Sequence, residues 1–432
     1  MRIKLLILFL LMLSIISGNY YYRNDIVDKS ITILKQGNGT YHPVEKQDVR
    51  LTDRSLIVNS INPDSLSWFV QKLEDFGTRF CYAENRFEVS EWIASQFIRM
   101  GFTNVQLDPF VSSAAGLGDV SQKNVIAILE GSTYPDEYII IGAHHDSFST
   151  SYPHSMTMAP GADDNASGTA AVLEIARVFM YHEIQPLYSI RFMTYAMEEL
   201  WMHGSYHDAA KVLEEGLTVK AMFNLDMIAN QPDDLDWIFK IIRYPNGDFL
   251  LDRALERASE MNMQIYSTYE GMHLSDGIPY YEIGIPVIYF FEYYFSENYH
   301  KDGDTLANLN LPYFLQFTRL IGSVLLDISD TVFTNIQETD LKPVLNNLNL
   351  KNYPNPFNPL TTIQFTLSSP DIVELSIYNI KGEMIKNYPP EMYQSGTHSF
   401  QWEADGVASG LYFYQIKTES GRHEVNKMVL LK

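Results

Sequence analysis

The chain has 432 residues, 46% hydrophobic and 19% charged, with a formal net charge of −22. That is globular composition with length for about two or three domains, and the acidic balance argues against nucleic acid or anionic membrane as partners. The single cysteine, Cys81, rules out an intrachain disulfide. Between Phe80 and Tyr82 it reads as a small buried hydrophobe rather than a catalytic thiol.

The N-terminus, "MRIKLLILFLLMLSIISGNY", places Arg2 and Lys4 before an apolar run that ends at the small residues Ser17 and Gly18. The run is too short to span a bilayer and reads as a signal peptide over 1–18; the competing reading is a buried core helix. No other segment is long and apolar enough to cross, so no stable transmembrane anchor is expected. Residues 19–60 are polar and weakly patterned, an N-terminal arm or propeptide.

From 64 to 100 apolar residues recur at three- and four-residue spacing, a helical pattern, and Gly101 follows as a stop. Candidate strands then lie at 124–131, 137–144, 188–196, 220–228 and 286–291, with helical stretches at 167–182, 203–215 and 248–261. Near-continuous apolar strands separated by helices imply an α/β domain, a mostly parallel sheet sandwiched by helices, over 61–333. A polar linker follows over 334–349. Residues 350–432 alternate with period two between Gly and Pro turns, which predicts a small all-β sandwich of immunoglobulin-like type.

In open parallel sheets, ligands bind beyond the carboxyl ends of the strands. His144 and Asp146 follow the second strand, Glu198 and Glu199 the third, and Asp226 closes the fourth. Tyr299, His300, Asp302 and Asp304 follow the fifth, and Asp163 and Asp164 sit at a helix start in "PGADDNASGTAAV". That adjacent pair reads either as a helix cap or as cation ligands. Each of the other groups alone reads as a surface or turn residue; together they put imidazoles and carboxylates at one edge. Two His and several carboxylates without thiolates suit zinc at a catalytic site, and the inventory fits two ions with one bridging carboxylate. Asp146, two residues from His144, is placed to orient that imidazole.

The motifs "GAHHDS", "GADDNASGTAAVLEIAR", "AMEELWMHGS", "NLDMI", "SDGIPYYEIGIPVIYF" and "YHKDGDT" cover roughly 65–330. In them the chain resembles the secreted zinc aminopeptidases of the bacterial leucyl-aminopeptidase and aminopeptidase Y type, whose wider group includes the glutaminyl cyclases. The resemblance implies a zinc exopeptidase fold with two Zn²⁺ ions. His144 and Asp226 would hold one, Glu199 and His300 the other, and Asp164 would bridge them. Glu198 would be the general base, Asp146 the support of His144, and Tyr299 an aid in polarising the scissile carbonyl. The implied reaction removes N-terminal residues from peptides or proteins with a free N-terminus. The alternatives are a glutaminyl-peptide cyclotransferase with a single zinc, or an inactive binding module on the same fold. The chain departs from the pattern at Gly277, where many relatives carry a His; His273, nearby, is a candidate substitute. His145, His154, His182, His203 and His207 match no motif position and read as structural or exposed.

The segments "NYPNPFNPLTTIQFTL", "IYNIKGEMI", "SGLYFYQIKT" and "NKMVLLK" resemble the type A sorting domain of type IX secretion substrates. This implies recognition by the type IX secretion machinery, export through the periplasm of a didermal bacterium, and release or surface attachment.

Overall fold

The computed structural model describes residues 40–42, 53–330 except 115, 116 and 273, and 348–431 except 349, 368–369, 380–383, 405 and 419–422. The expected signal peptide, most of the 19–60 arm, the linker apart from Leu348, and His273 lie outside the described residues. What is described falls into two compact units, divided near residue 341.

The first unit is built on nine strands, β1 (Thr40–His42), β2 (Asn104–Ala114), β3 (Gly118–Leu129), β4 (Tyr134–His144), β5 (Tyr188–Tyr195), β6 (Thr218–Leu225), β7 (Ile238–Arg243), β8 (Gln264–Thr268) and β9 (Val287–Glu292). Their order across the sheet is β1-β8-β7-β9-β6-β4-β5-β3-β2. The centre, β5-β4-β6-β9, is parallel, as expected from the sequence. Towards the edges β7 runs antiparallel to β9, β3 to β5, β2 to β3 and β1 to β8, so the whole sheet is mixed.

The helices are α1 (Asp53–Asn59), α2 (Pro63–Glu74), α3 (Arg86–Arg99), α4 (Gly168–Tyr181), α5 (His203–Glu215), α6 (Asp248–Glu260), α7 (Gly277–Glu282) and α8 (Leu311–Ser329). On one sheet face Ile139, Ile141, Phe192, Phe223 and Phe290 pack with α2, α3, α4, α6 and α8. On the other, Ile140, Met193, Met222 and Tyr289 pack with α5 and α7. Successive strand residues point to opposite faces, so burial on both faces requires both parities to be apolar, and β5 and β9 are buried along their whole length.

The sequence analysis assigns no element to 311–329, where α8 stands. Its signals are a cap and a pattern: the Asn310 side chain accepts from the Tyr313 amide (3.0 Å), and Pro312 sits in the first turn. Strands β2, β7 and β8 are likewise unassigned there. β3 also begins six residues before its predicted start of 124, because its first half pairs with β2 in a half-exposed ribbon whose polar residues hide the alternation.

The second unit holds seven antiparallel strands in two sheets, of three and four strands. In the first, the strand Leu360–Leu367 buries alternate residues, and Ile363, Phe365, Trp402, Tyr414 and Ile416 share the core, as the period-two pattern predicts.

Candidate metal centre

Parallel registry puts the site together. His144 pairs with Tyr195, Gly142 with Asn224 and Leu225 with Phe290. The residues that follow these ends therefore reach one edge. His144 ends β4 and is buried, and its Nδ1–H donates to the Asp146 carbonyl (3.1 Å), which leaves Nε2 to face the site. That Nε2 lies 3.3 Å from Asp164 Oδ1, 3.4 Å from Asp226 Oδ1 and 3.8 Å from Glu198 Oε2. His300 Nε2 lies 3.1 Å from Asp164 Oδ2 and 2.7 Å from Glu199 Oε2. Two trios result, His144–Asp164–Asp226 and Asp164–Glu199–His300, with Asp164 offering one oxygen to each.

Asp164 is presented by a single irregular turn, Ala162–Ser167, ahead of α4. Asp304 fixes that turn: its carboxylate accepts the amides of Asp163 (2.8 Å) and Asp164 (3.0 Å), and its carbonyl accepts that of Ala162 (2.9 Å). Asn165 then donates to the Leu225 carbonyl (2.9 Å), next to Asp226. A Cβ at Gly168 would stand 2.4 Å from Asn165 Oδ1 and 2.6 Å from the Leu225 carbonyl, so only glycine lets α4 start this close to β6. Gly168→Ala is expected to destabilise the fold by about 1–3 kcal/mol through overpacking; a thermal midpoint equal to wild type in a denaturation scan would refute it. Asp163 points away from the two trios and accepts the Ala229 amide (2.9 Å), which is loop support.

Asp146 holds more than the imidazole. Its carboxylate accepts the amides of Glu198 (3.0 Å) and Glu199 (3.3 Å), tying the β5 loop to the β4 loop. Asp226 is set by Ser275, whose hydroxyl donates to Oδ2 (2.8 Å). Tyr299 stacks on His300 at 3.8 Å, and Phe148 packs edge-on against the same imidazole at 5.1 Å. Asp302 turns outward to Ser149 and His154. The remaining motif-free histidines have structural partners: His145 meets Thr194, His182 meets Ser60, His203 meets Ser112 and His207 meets Asp108.

At Gly277 a Cβ would meet the Tyr244 hydroxyl at 2.9 Å. The Tyr244 hydroxyl, donating to the Met272 carbonyl, takes the room a side chain at 277 would need. The sequence analysis singles out neither Tyr244, Ser275 nor Asp304 for a role, because each acts through a main-chain group or another side chain and leaves no motif of its own.

Burial is the largest influence on these acids. It pushes the Glu198 carboxyl well above its ordinary value, against His144, and Asp276 adds to the push. It lifts Glu199 to about 7, with Asp164 adding to the effect. Asp164 runs the other way: despite burial, hydrogen bonds from His144 and His300 hold it low. His300 is held up to about 10, against burial, chiefly by the Glu199 charge. So many buried carboxylates require compensating positive charge.

The donor set fits metal ions. Asp226 Oδ1 and Glu199 Oε1 are buried and have no hydrogen-bond partner among the described residues. Nitrogen and oxygen donors without thiolate in two trios with a shared carboxylate are a catalytic-zinc donor set.

Fold and donor set together resemble those of the zinc exopeptidases. Residues 124–325 match the model of peptidase family M28, and residues 351–431 match that of a secretion system C-terminal sorting domain. A probable aminopeptidase of Saccharomyces cerevisiae is 27% identical over 295 residues, covering 66% of this chain and 78% of that protein. A probable leucine aminopeptidase of Arthroderma otae is 28% identical over 280 residues, covering 61% and 72%. Among solved structures, LapB of Legionella pneumophila matches with a TM-score of 0.57 at 23% identity, covering 70% of this chain and 81% of that one. A glutaminyl cyclase of Bacteroides thetaiotaomicron matches with a TM-score of 0.52 at 18% identity, covering 62% and 98%. The likeness to the two solved structures is one of fold.

Proposed function

We propose that the chain is a secreted aminopeptidase that hydrolyses N-terminal residues from peptides and proteins at a two-zinc centre. The observation that carries this is the pair of donor trios sharing Asp164, with Glu198 beside them. His144 and Asp226 would hold one ion and Glu199 and His300 the other, with Asp164 shared between the two trios. Zinc there supplies Lewis acidity at the scissile carbonyl and lowers the pKa of water towards 7.

The chain's own groups do the rest. Glu198 takes the proton of the attacking water and delivers it to the leaving amine. Burial that raises its proton affinity suits both halves of that role. Asp146 holds the Glu198 amide, so the carboxylate stays in reach of the reacting atoms while Glu199 serves as a ligand. The Tyr299 hydroxyl stays protonated, pushed up by burial and then by the Asp164 and Glu199 charges, and donates to the carbonyl oxygen.

Turnover of a panel of aminoacyl-anilides, with and without chelator, tests this reading. Zinc-dependent release of the amine is expected. Cyclisation of glutaminyl-anilide alone, with one zinc per chain, would establish the cyclotransferase instead; chelator-insensitive ligand binding without turnover would establish an inactive module.

The sorting domain points to export, and we assign it to the type IX machinery of a didermal bacterium. No helix among the described residues is long and apolar enough to cross a membrane. Deletion of 350–432 is expected to leave kcat unchanged and trap the protein in the periplasm. Normal export of the truncated chain, measured by cell fractionation, would overturn the sorting assignment.

A further inference from the structure

The loop from His145 to Gly161 joins β4 to the turn that presents Asp164, and it holds one turn of helix, Tyr152–Ser155. A loop of that length needs an anchor if His144 and Asp164 are to keep their separation. Arg79 supplies one. It lies between α2 and α3, is 2% exposed, and reaches the base of the loop. Its Nε donates to the His145 carbonyl (2.8 Å), Nη1 to Pro160 (2.6 Å) and Leu73 (3.2 Å), and Nη2 to Gly161 (2.7 Å). Its main-chain amide donates to Ser147 Oγ (3.1 Å), and Ser147 Oγ donates to the Ala159 carbonyl (2.7 Å). Gly161 has φ +52, and a Cβ there would crowd the Asp164 carbonyl and stand 2.6 Å from Ser147 Cβ and 2.9 Å from Arg79 Nη2, so glycine is what lets the turn close over Ser147 and the guanidinium.

We propose that Arg79 is a positioning residue of the metal centre. One guanidinium clamps the carbonyl of His145, next to the ligand His144, to those of Pro160 and Gly161, ahead of the bridging Asp164. It thereby sets the zinc affinity of both sites together. This rests on the ligand assignment proposed above. Two effects compete. As a buried cation near Asp304, Asp146, Asp164 and Glu199, Arg79 opposes further positive charge; as a rigid fork it keeps the two loops in register, which no other side chain can do with the same geometry. The proposal is that register outweighs repulsion, because a misplaced ligand loses its bond whereas a screened charge loses only part of its field.

The test is zinc affinity of full-length Arg79→Met and Arg79→Lys, measured by competition with a chromophoric chelator. The temperature is kept well below each variant's own midpoint, with near-UV circular dichroism to establish the fold. Both variants are expected to bind zinc roughly 10- to 100-fold more weakly at both sites, the range for residues that orient metal ligands. A lower midpoint with unchanged zinc affinity would make Arg79 merely structural and overturn the proposal. Tighter zinc in Arg79→Met would do so as well, by showing that repulsion dominates. Should Arg79→Met fail to fold, Arg79→Lys, which keeps the charge but not the fork, decides. If wild type binds no zinc, or Asp164→Ala binds as much as wild type, the ligand assignment itself has failed, and the clamp falls with it.

Discussion

Glu198→Gln is expected to keep both zinc ions and lose about 10²- to 10⁴-fold in kcat. The amide has the same shape but accepts no proton. The contact that places the residue is its main-chain amide on Asp146, which the substitution leaves in place. Glu198 Oε2 is 3.8 Å from His144 Nε2, farther than the Asp164 and Asp226 oxygens, as befits a group kept off the metal. The measurements are kcat on leucine-anilide and zinc per chain. Near-normal turnover would sink the base assignment, and loss of zinc would make Glu198 a ligand.

Asp164→Ala is expected to lose both ions. Its two oxygens face different imidazoles, at 3.3 and 3.1 Å, so one truncation leaves each trio with two donors. The fold then forfeits the stabilisation that bound metal provides, about 4 kcal/mol per site at a thousandfold excess over Kd. For two ions that is about 8 kcal/mol, a fall in midpoint of roughly 15 to 30 °C for a domain of this size. Metal analysis and a thermal scan with and without added zinc measure both effects. An unchanged zinc content would refute the bridge. Asp163→Asn is the control and should retain zinc, since Asp163 serves the Ala229 amide.

The same geometry fixes a pH dependence. Neighbouring carboxylates raise the proton affinity of His144 and His300, the latter to about 10, and zinc must displace those protons. Zinc affinity is therefore expected to climb with pH, with proton release visible in calorimetry across buffers of different ionisation enthalpy. Affinity flat between pH 6 and 8 would contradict it.

The candidate ligands could be read because a parallel sheet converts short apolar runs into a common edge. His144, Glu199 and Asp226 each stand within four residues of a predicted strand's end, and the doubled Glu and doubled Asp mark places where neighbours take different tasks. The all-β texture after residue 350 was legible because strands such as Leu360–Leu367 bury every second residue. What escaped has no periodicity or spacing. Arg79 bonds to carbonyls, which every residue carries, so "FGTRFCY" gives no sign of it. Asp304 was visible as an acid at the edge, but its partners are the amides of Ala162, Asp163 and Asp164's turn, far away in sequence. The role of Gly277 depends on Tyr244, which arrives from β7's end, a strand the apolar pattern did not reveal.

The Asp146 tie also constrains anyone who wishes to alter one ion without the other. Its carbonyl aligns His144 of the first trio, and its carboxylate carries the backbone of both Glu198 and Glu199 of the second. Replacing the carboxylate is thus felt by the Glu198 and Glu199 main chain together and by the His144 imidazole 3.6 Å away, so a substitution there touches both trios. Independent handles lie only at the periphery: the Ser275 hydroxyl behind Asp226 for one ion, and the Phe148–Tyr299 sandwich around His300 for the other. A single-metal form, or one loaded with two different metals, has to be engineered from those flanks inward.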